Sequence, residues 1–262
     1  MAIHPVPQET PNPSARRKTI AVASGKGGVG KTWFAISLSQ ALSRTGERTL
    51  LFDGDLGLAN VDIQLGLLPK HDIAAVIAGK ATLAQAVTTY EDGGFDVLAG
   101  RSGTGNLATL PLQRLNGLRD GLMRIAVQYD RLILDLSAGV DRTVMTLAAA
   151  AGIDLIVTTD EPTSLTDAYA FIKLTAADRP DADMRIVVNM AESRKSGQET
   201  YDTLLKACRT FLHIEPPLAG IVRRDAKVRD SIRHQAAFLT RYPGADAAQD
   251  VEAIAERLQR IR

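Results

Sequence analysis

"SGKGGVGKTWF", residues 24–34, is the stretch that decides the fold. Gly25 to Thr32 fit the spacing G-x-x-x-x-G-K-[S/T]. On the N-terminal side stands "TIAVAS" (19–24), an apolar run with the signature of a buried strand. On the C-terminal side, "KTWFAISLSQALSR" (31–44) carries Phe34, Ile36, Leu38, Ala41 and Leu42 near helical spacing. A glycine-rich turn between a strand and a helix is a phosphate cradle. Gly25, Gly27, Gly28 and Gly30, with Val29 among them, let backbone N–H groups face an anion without side-chain clash. The helix N-terminus adds partial positive charge. The spacing predicts that Lys31 reaches the β- and γ-phosphates and that the Thr32 hydroxyl ligates Mg²⁺. A second lysine, Lys26, opens the loop. Phosphoryl transfer spreads negative charge over the equatorial oxygens, and a cation delivered from outside can stabilise it. Two readings of Lys26 stay open on this ground: a solvated side chain, or an amine offered to a nucleotide held by another subunit.

Outward from the loop, short apolar runs alternate with helical ones. Further strands are predicted at 48–53, 95–100, 130–136, 153–159, 184–189 and 218–222. Runs that are apolar nearly throughout are buried on both faces. That predicts a doubly wound α/β domain over 19–262, with a mostly parallel sheet and helices on both sides. Ligands in such folds bind beyond the carboxyl ends of the strands. Three suggestive segments fall there and are expected to converge: the glycine loop, "DGDLGLANVD" (53–62) and "DLSAGVD" (135–141).

Carboxylates beside a phosphate site would repel it unless Mg²⁺ and water lie between. On that reasoning Asp53, Asp55 and Asp135 are candidates for the metal side, together with Thr32. Asn189, in "VVNMAES", is expected just past a strand end, where its amide can both donate to and accept from an adenine edge. Its alternative is a strand-end turn cap.

Composition narrows the partners. A formal net charge of +1 implies no global polyelectrolyte partner. The single cysteine, Cys208, allows no internal disulfide, suits a reducing cytoplasm and excludes a paired-cysteine cluster. Residues 1–18, with prolines at 5, 7, 11 and 13, are expected to form a disordered arm whose basic end, Arg16 to Lys18, is solvated. At 245–262, Val251, Ile254, Leu258 and Ile261 make one narrow apolar stripe. It favours a last helix packed on the sheet over weak membrane or partner attachment.

"KGGVGKT" resembles the deviant Walker A motif of the MinD/ParA family of P-loop ATPases. The resemblance implies a homodimer when ATP is bound, with Lys26 crossing the interface to the partner's phosphates, and slow Mg²⁺-dependent hydrolysis of ATP to ADP. "LLFDGDLGLANVDIQLGL" (50–67) is similar to the family's switch I. The water-orienting carboxylate would then be Asp55, supported by Asp53, with Lys26, Lys31 and Asp55 the catalytic set. "LILDLSAGVD" (132–141) is similar to its Walker B strand and switch II, with Ser137 in place of the usual proline. "GIVRRDAKVRDSIR" (220–233) resembles the segment that packs on the base; this implies a base-side role for Asp225, although Arg223 replaces the usual proline. "TTDEPTSLTDAYAFIKL" (158–174) is similar to the FlhG branch, whose members control flagellar number and placement. That branch implies a protein partner such as an FlhF-like GTPase or flagellar switch proteins, and action in the cytoplasm, at the inner membrane or at a cell pole. The rival reading is a DNA-associated partitioning ATPase. Its support is the basic run Arg223, Arg224, Lys227, Arg229 and Arg233, a thin basis for phosphate-backbone binding.

Overall fold

The computed structural model describes residues 13–55, 57, 59–100 and 110–260. Eight strands form one sheet in the order β3-β4-β2-β5-β1-β6-β7-β8. They are β1 (Thr19–Ser24), β2 (Thr49–Gly54), β3 (Val87–Tyr90), β4 (Phe95–Leu98), β5 (Arg131–Ala138), β6 (Ile153–Thr158), β7 (Asp183–Ala191) and β8 (Leu218–Arg223). Every pairing is parallel except β3 with β4, a hairpin at the sheet edge. The strand run predicted at 19–24 matches β1, and the helical run at 31–44 matches α2 (Lys31–Arg44). β3 was not predicted. It has four residues, only one of them buried, so neither alternation nor apolarity marks it.

Successive side chains of a strand point to opposite faces, and both faces are filled. Ile20, Val22, Leu51, Ile133 and Leu155 pack on one side with α2, α11 (Phe238–Arg241) and α12 (Asp246–Gln259). Ala21, Phe52, Leu132, Leu134 and Ile156 pack on the other. There they meet α6 (Leu112–Ala126), α7 (Arg142–Ala148), α8 (Pro162–Asp178) and α9 (Arg194–Leu212). This is why the inner strands read as continuous apolar runs. The chain lays its strands on one side of β1 through β5 and on the other from β6 onward. The loop after β1 therefore opens where the strand order reverses, at the carboxyl edge of the sheet.

Two boundary expectations change. Pro13–Lys18 form a short helix, α1, rather than the end of a disordered arm. Proline is tolerated at a first helical position, and Ala15 is buried. The basic end is tied down, not solvated: Arg16 Nε donates to the Ala151 carbonyl (3.2 Å) and Lys18 Nζ to that of Tyr129 (2.9 Å). The remainder of the expected arm, 1–12, lies outside the described residues. At the other end, α12 buries Val251, Ile254 and Leu258 against the sheet, as the packed-helix reading expects; Ile261 lies outside the described residues. Packing there is close: a Cβ on Gly220 of β8 would stand 2.4 Å from Ile254 Cγ1. Among the described residues, no helix is long and apolar enough to cross a membrane.

Candidate functional site

The glycine loop needs its glycines for identifiable reasons. Gly30, at the N-cap of α2, has φ 82° and ψ 23°, a left-handed conformation. A Cβ there would stand 2.5 Å from Asn189 Nδ2. At Gly25 a Cβ would meet the Asp167 carbonyl oxygen at 2.2 Å, so the loop lies against the first turns of α8. Lys31 begins α2 and is buried. Thr32 follows it, half-buried.

The strand register then delivers the carboxylates. Asp53 of β2 and Asp135 of β5 are direct neighbours across parallel strands. Both are buried, and burial pushes both carboxyls above the usual carboxylate range. Mutual proximity adds to this at Asp53. At Asp135, Asp55 pushes the same way, and Lys31 and Thr32 oppose it. Their hydrogen bonding differs sharply. Asp53 accepts from the backbone N–H groups of Asp55 (3.2 Å), Asn60 (3.0 Å) and Val61 (3.1 Å), and so fastens the turn after β2. Neither carboxylate oxygen of Asp135 accepts a hydrogen bond of standard geometry, although Thr32 and Lys31 face it. A buried acid with two idle oxygens opposite a hydroxyl and an ammonium is a place built for something else to bind.

The expected metal set is therefore redistributed. Among the described residues no three His, Cys, Asp or Glu side chains form a metal-holding group. Asp53 spends its oxygens on N–H groups of the turn after β2. The donors that fit Mg²⁺ are the Asp135 carboxylate and the Thr32 hydroxyl, with Asp55 beside them. Mg²⁺ commonly binds through one or two protein oxygens, with waters and phosphate completing the shell.

Lys26 is neither free in solvent nor extended outward. Its ammonium pairs with the Glu161 carboxylate and donates to Thr163 Oγ1 at 2.7 Å. Both partners stand at the start of α8, where Glu161 is the N-cap. The pairing with Lys26 holds the Glu161 carboxyl below its usual range. Sequence reading missed these two partners. They lie 135 and 137 positions away, inside the stretch 158–174, which carried only a branch resemblance. No local spacing marks such a contact.

The base-side candidates are placed differently from expectation. Asn189 lies inside β7, not past its end, and is buried. Its Nδ2 donates to the Val29 carbonyl of the glycine loop (2.8 Å). Asp225 caps α10 (Ala226–Arg233) by accepting from the Lys227 N–H (2.9 Å). The basic run of this segment is partly consumed. Arg223 clasps Asp246 and Asp250, and Lys227 lies 5.8 Å from the Tyr242 ring centre. Trp33 buries its ring edge-on to Phe238, 5.1 Å between centres. A cavity of about 1250 Å³, lined by Arg17, Lys18, Glu47 and Arg131 among others, opens at the opposite end of the sheet and touches none of the loop residues.

Comparison with known proteins agrees with this geometry. Residues 20–238 match the model of the CobQ/CobB/MinD/ParA nucleotide binding domain. The chain is 37% identical over 241 residues to "Antiactivator FleN" of Pseudomonas aeruginosa, covering 92% of this chain and 86% of the relative. It is 28% identical to the "Flagellum site-determining protein YlxH" of Helicobacter pylori, covering 91% and 80%. The solved structure of the septum site-determining protein MinD complexed with Mg-ADP, from Pyrococcus horikoshii, superposes with a TM-score of 0.75 at 22% identity, covering 92% and 95%. With a phosphate loop at the strand-order reversal and a family match over most of its length, the chain belongs to the CobQ/CobB/MinD/ParA nucleotide-binding family.

Proposed function

We propose that this chain is an ATP-hydrolysing switch that pairs with a second copy of itself when ATP is bound, and that its output is control of flagellar number or placement. The observation that carries the chemistry is Asp135, buried opposite Thr32 and Lys31 with neither oxygen accepting a hydrogen bond of standard geometry. The flagellar output rests on likeness to relatives named for that role.

Each residue has a part. Glycine-loop N–H groups and the start of α2 hold the phosphates. Lys31 neutralises the β/γ oxygens. Thr32 and Asp135 would hold Mg²⁺, which would neutralise phosphate charge. Asp55 aims a water at the γ-phosphate, and Asp53 keeps the turn that carries Asp55 in place. Lys26 leaves Glu161 for the partner's nucleotide, where the growing negative charge draws it. Asn189 steadies the loop through Val29 and, with the Asp225 cap, borders the base. Because γ-phosphate contacts order both switch turns, hydrolysis resets the interface and whatever protein partner it presents. An FlhF-like GTPase or flagellar switch protein is the expected partner, met in the cytoplasm or at the inner membrane.

The test is ATP turnover with Mg²⁺ for Lys31→Ala, Asp55→Ala and Asp135→Asn. All three should fall to background. Asp55→Ala should still bind ATP and run as a dimer. Unchanged turnover in Asp55→Ala would remove that residue from the chemistry. Co-sedimentation with DNA and with anionic liposomes, each with and without ATP, separates the flagellar reading from the partitioning one; ATP-dependent DNA binding alone would favour partitioning.

A further inference from the structure

A second surface stands apart from the nucleotide loop. Between α6 and the short helices α4 (Ile73–Ile77) and α5 (Leu83–Ala86) runs an open groove of about 660 Å³. Its floor is apolar: Val76, Ile77, Leu83, Leu118 and Ile125. Among its lining residues none is acidic, and two are arginines, Arg114 and Arg124. Neither makes an ion pair among the described residues, whereas Arg119 on the same helix pairs with Asp120 at 2.8 Å. At 1.5 Å rise per residue the two guanidinium-bearing positions lie about 15 Å apart along α6.

The glycines of α6 point the same way. A glycine inside a helix is destabilising relative to alanine and calls for a packing reason. Gly121 has one, because a Cβ there would meet Leu83 Cδ1 at 2.7 Å. Gly117 has none among the described residues: it is exposed, lines the groove, and a Cβ would meet nothing within 4 Å there. A bare stretch of helix backbone, flanked by idle cations over an apolar floor, suits close approach by another helix.

We propose that this groove docks an acidic amphipathic helix of a partner protein, its apolar stripe on the floor and its carboxylates, about three turns apart, on Arg114 and Arg124. The site is separate from the nucleotide loop, so the proposal stands independently of the switch mechanism.

The probe is a fluorescein-labelled helical peptide of about 18 residues, with leucines at i, i+3/i+4 spacing and glutamates about three turns apart. A twin carries lysine for each glutamate. Both are titrated by fluorescence anisotropy into the full chain, into Arg114→Glu/Arg124→Glu and into Gly117→Leu. The leucine fills open space and improves helix propensity, so this variant should fold. We expect saturable binding of the acidic peptide, with the lysine twin, the double charge reversal and Gly117→Leu each weaker by about tenfold or more. ATP turnover of the variants should stay at the wild-type level. Equal binding of the two peptides, no saturation, or indifference to Gly117→Leu would overturn the proposal. Phosphatidylglycerol vesicles are titrated in parallel. If the charge reversal abolishes vesicle binding while the peptide fails to bind, the groove is a lipid surface and the helix proposal is wrong.

Discussion

Glu161 holds Lys26 within its own subunit, and in the proposed switch this contact would compete with delivery of the amine to a partner. The carboxylate is largely exposed, so the pair is a weak restraint rather than a lock. Glu161→Gln should therefore tighten ATP-dependent self-association by only about two- to fivefold. Analytical ultracentrifugation with a non-hydrolysable ATP analogue reads this directly; weaker association would mean that Glu161 helps to hold the interface itself. Gly30→Ala is a harsher change. The new Cβ would be forced into left-handed backbone and onto the Asn189 amide. A cost of about 2 kcal/mol or more and loss of ATP binding are expected. Trp33 is the only tryptophan and is buried against Phe238, so its fluorescence should follow unfolding. At this scale much was legible. Lys31, Thr32 and Asp135 announce themselves by local spacing and by position at strand ends. Glu161 and Thr163 do not, because what makes them matter is a contact that only the fold creates.

Among the elements, α12 is tied to the end of β8 and the start of α9. Asp250 on it is buried and accepts from Arg194 (2.8 Å) and from Arg223 Nε (2.7 Å), Nη2 (3.0 Å) and N–H (3.1 Å). Asp250→Ala strands those donors and should cost about 2–3 kcal/mol in urea unfolding. On the opposite side of the sheet, Asp154 of β6 pairs with Arg179 at the end of α8 (2.7 Å). Burial pushes its carboxyl from 3.8 up to about 6, against the pull of Arg179. The folded state thus holds this proton more tightly than the unfolded chain. Its stabilising effect is complete below the unfolded pKa and is lost as pH rises through about 6. Asp154→Asn removes that loss. Its stability relative to wild type should therefore rise by up to about 3 kcal/mol between about pH 4 and 7. A flat difference across that range would mean that Asp154 does not titrate there. The elements themselves were legible in proportion to their apolar content. β1 and α2 read to the residue because both are buried along most of their length. β3 is too short and too exposed to show a period, and α1 begins at Pro13, whose neighbouring prolines suggest extended chain.

The whole molecule is a sheet whose strand order reverses beside one loop. That reversal gathers Lys26, Lys31, Thr32, Asp53, Asp55 and Asp135 at one edge. Fold class follows from sequence because it depends on periodicity, and the gathering of these side chains at one edge follows from their places near strand ends. The proposed pairing of two molecules does not, since nothing local states whether Lys26 would leave Glu161 for a partner's nucleotide. Mixing two inactive variants decides it. Lys26→Ala keeps Asp55, and Asp55→Ala keeps Lys26. If the amine is delivered across the interface, each mixed dimer contains one complete site. An equimolar mixture should then recover about a quarter of wild-type ATP turnover, since half the dimers are mixed and half their sites complete. If turnover in the mixture stays at the sum of the two inactive parents, Lys26 serves its own subunit and the cross-subunit switch is wrong.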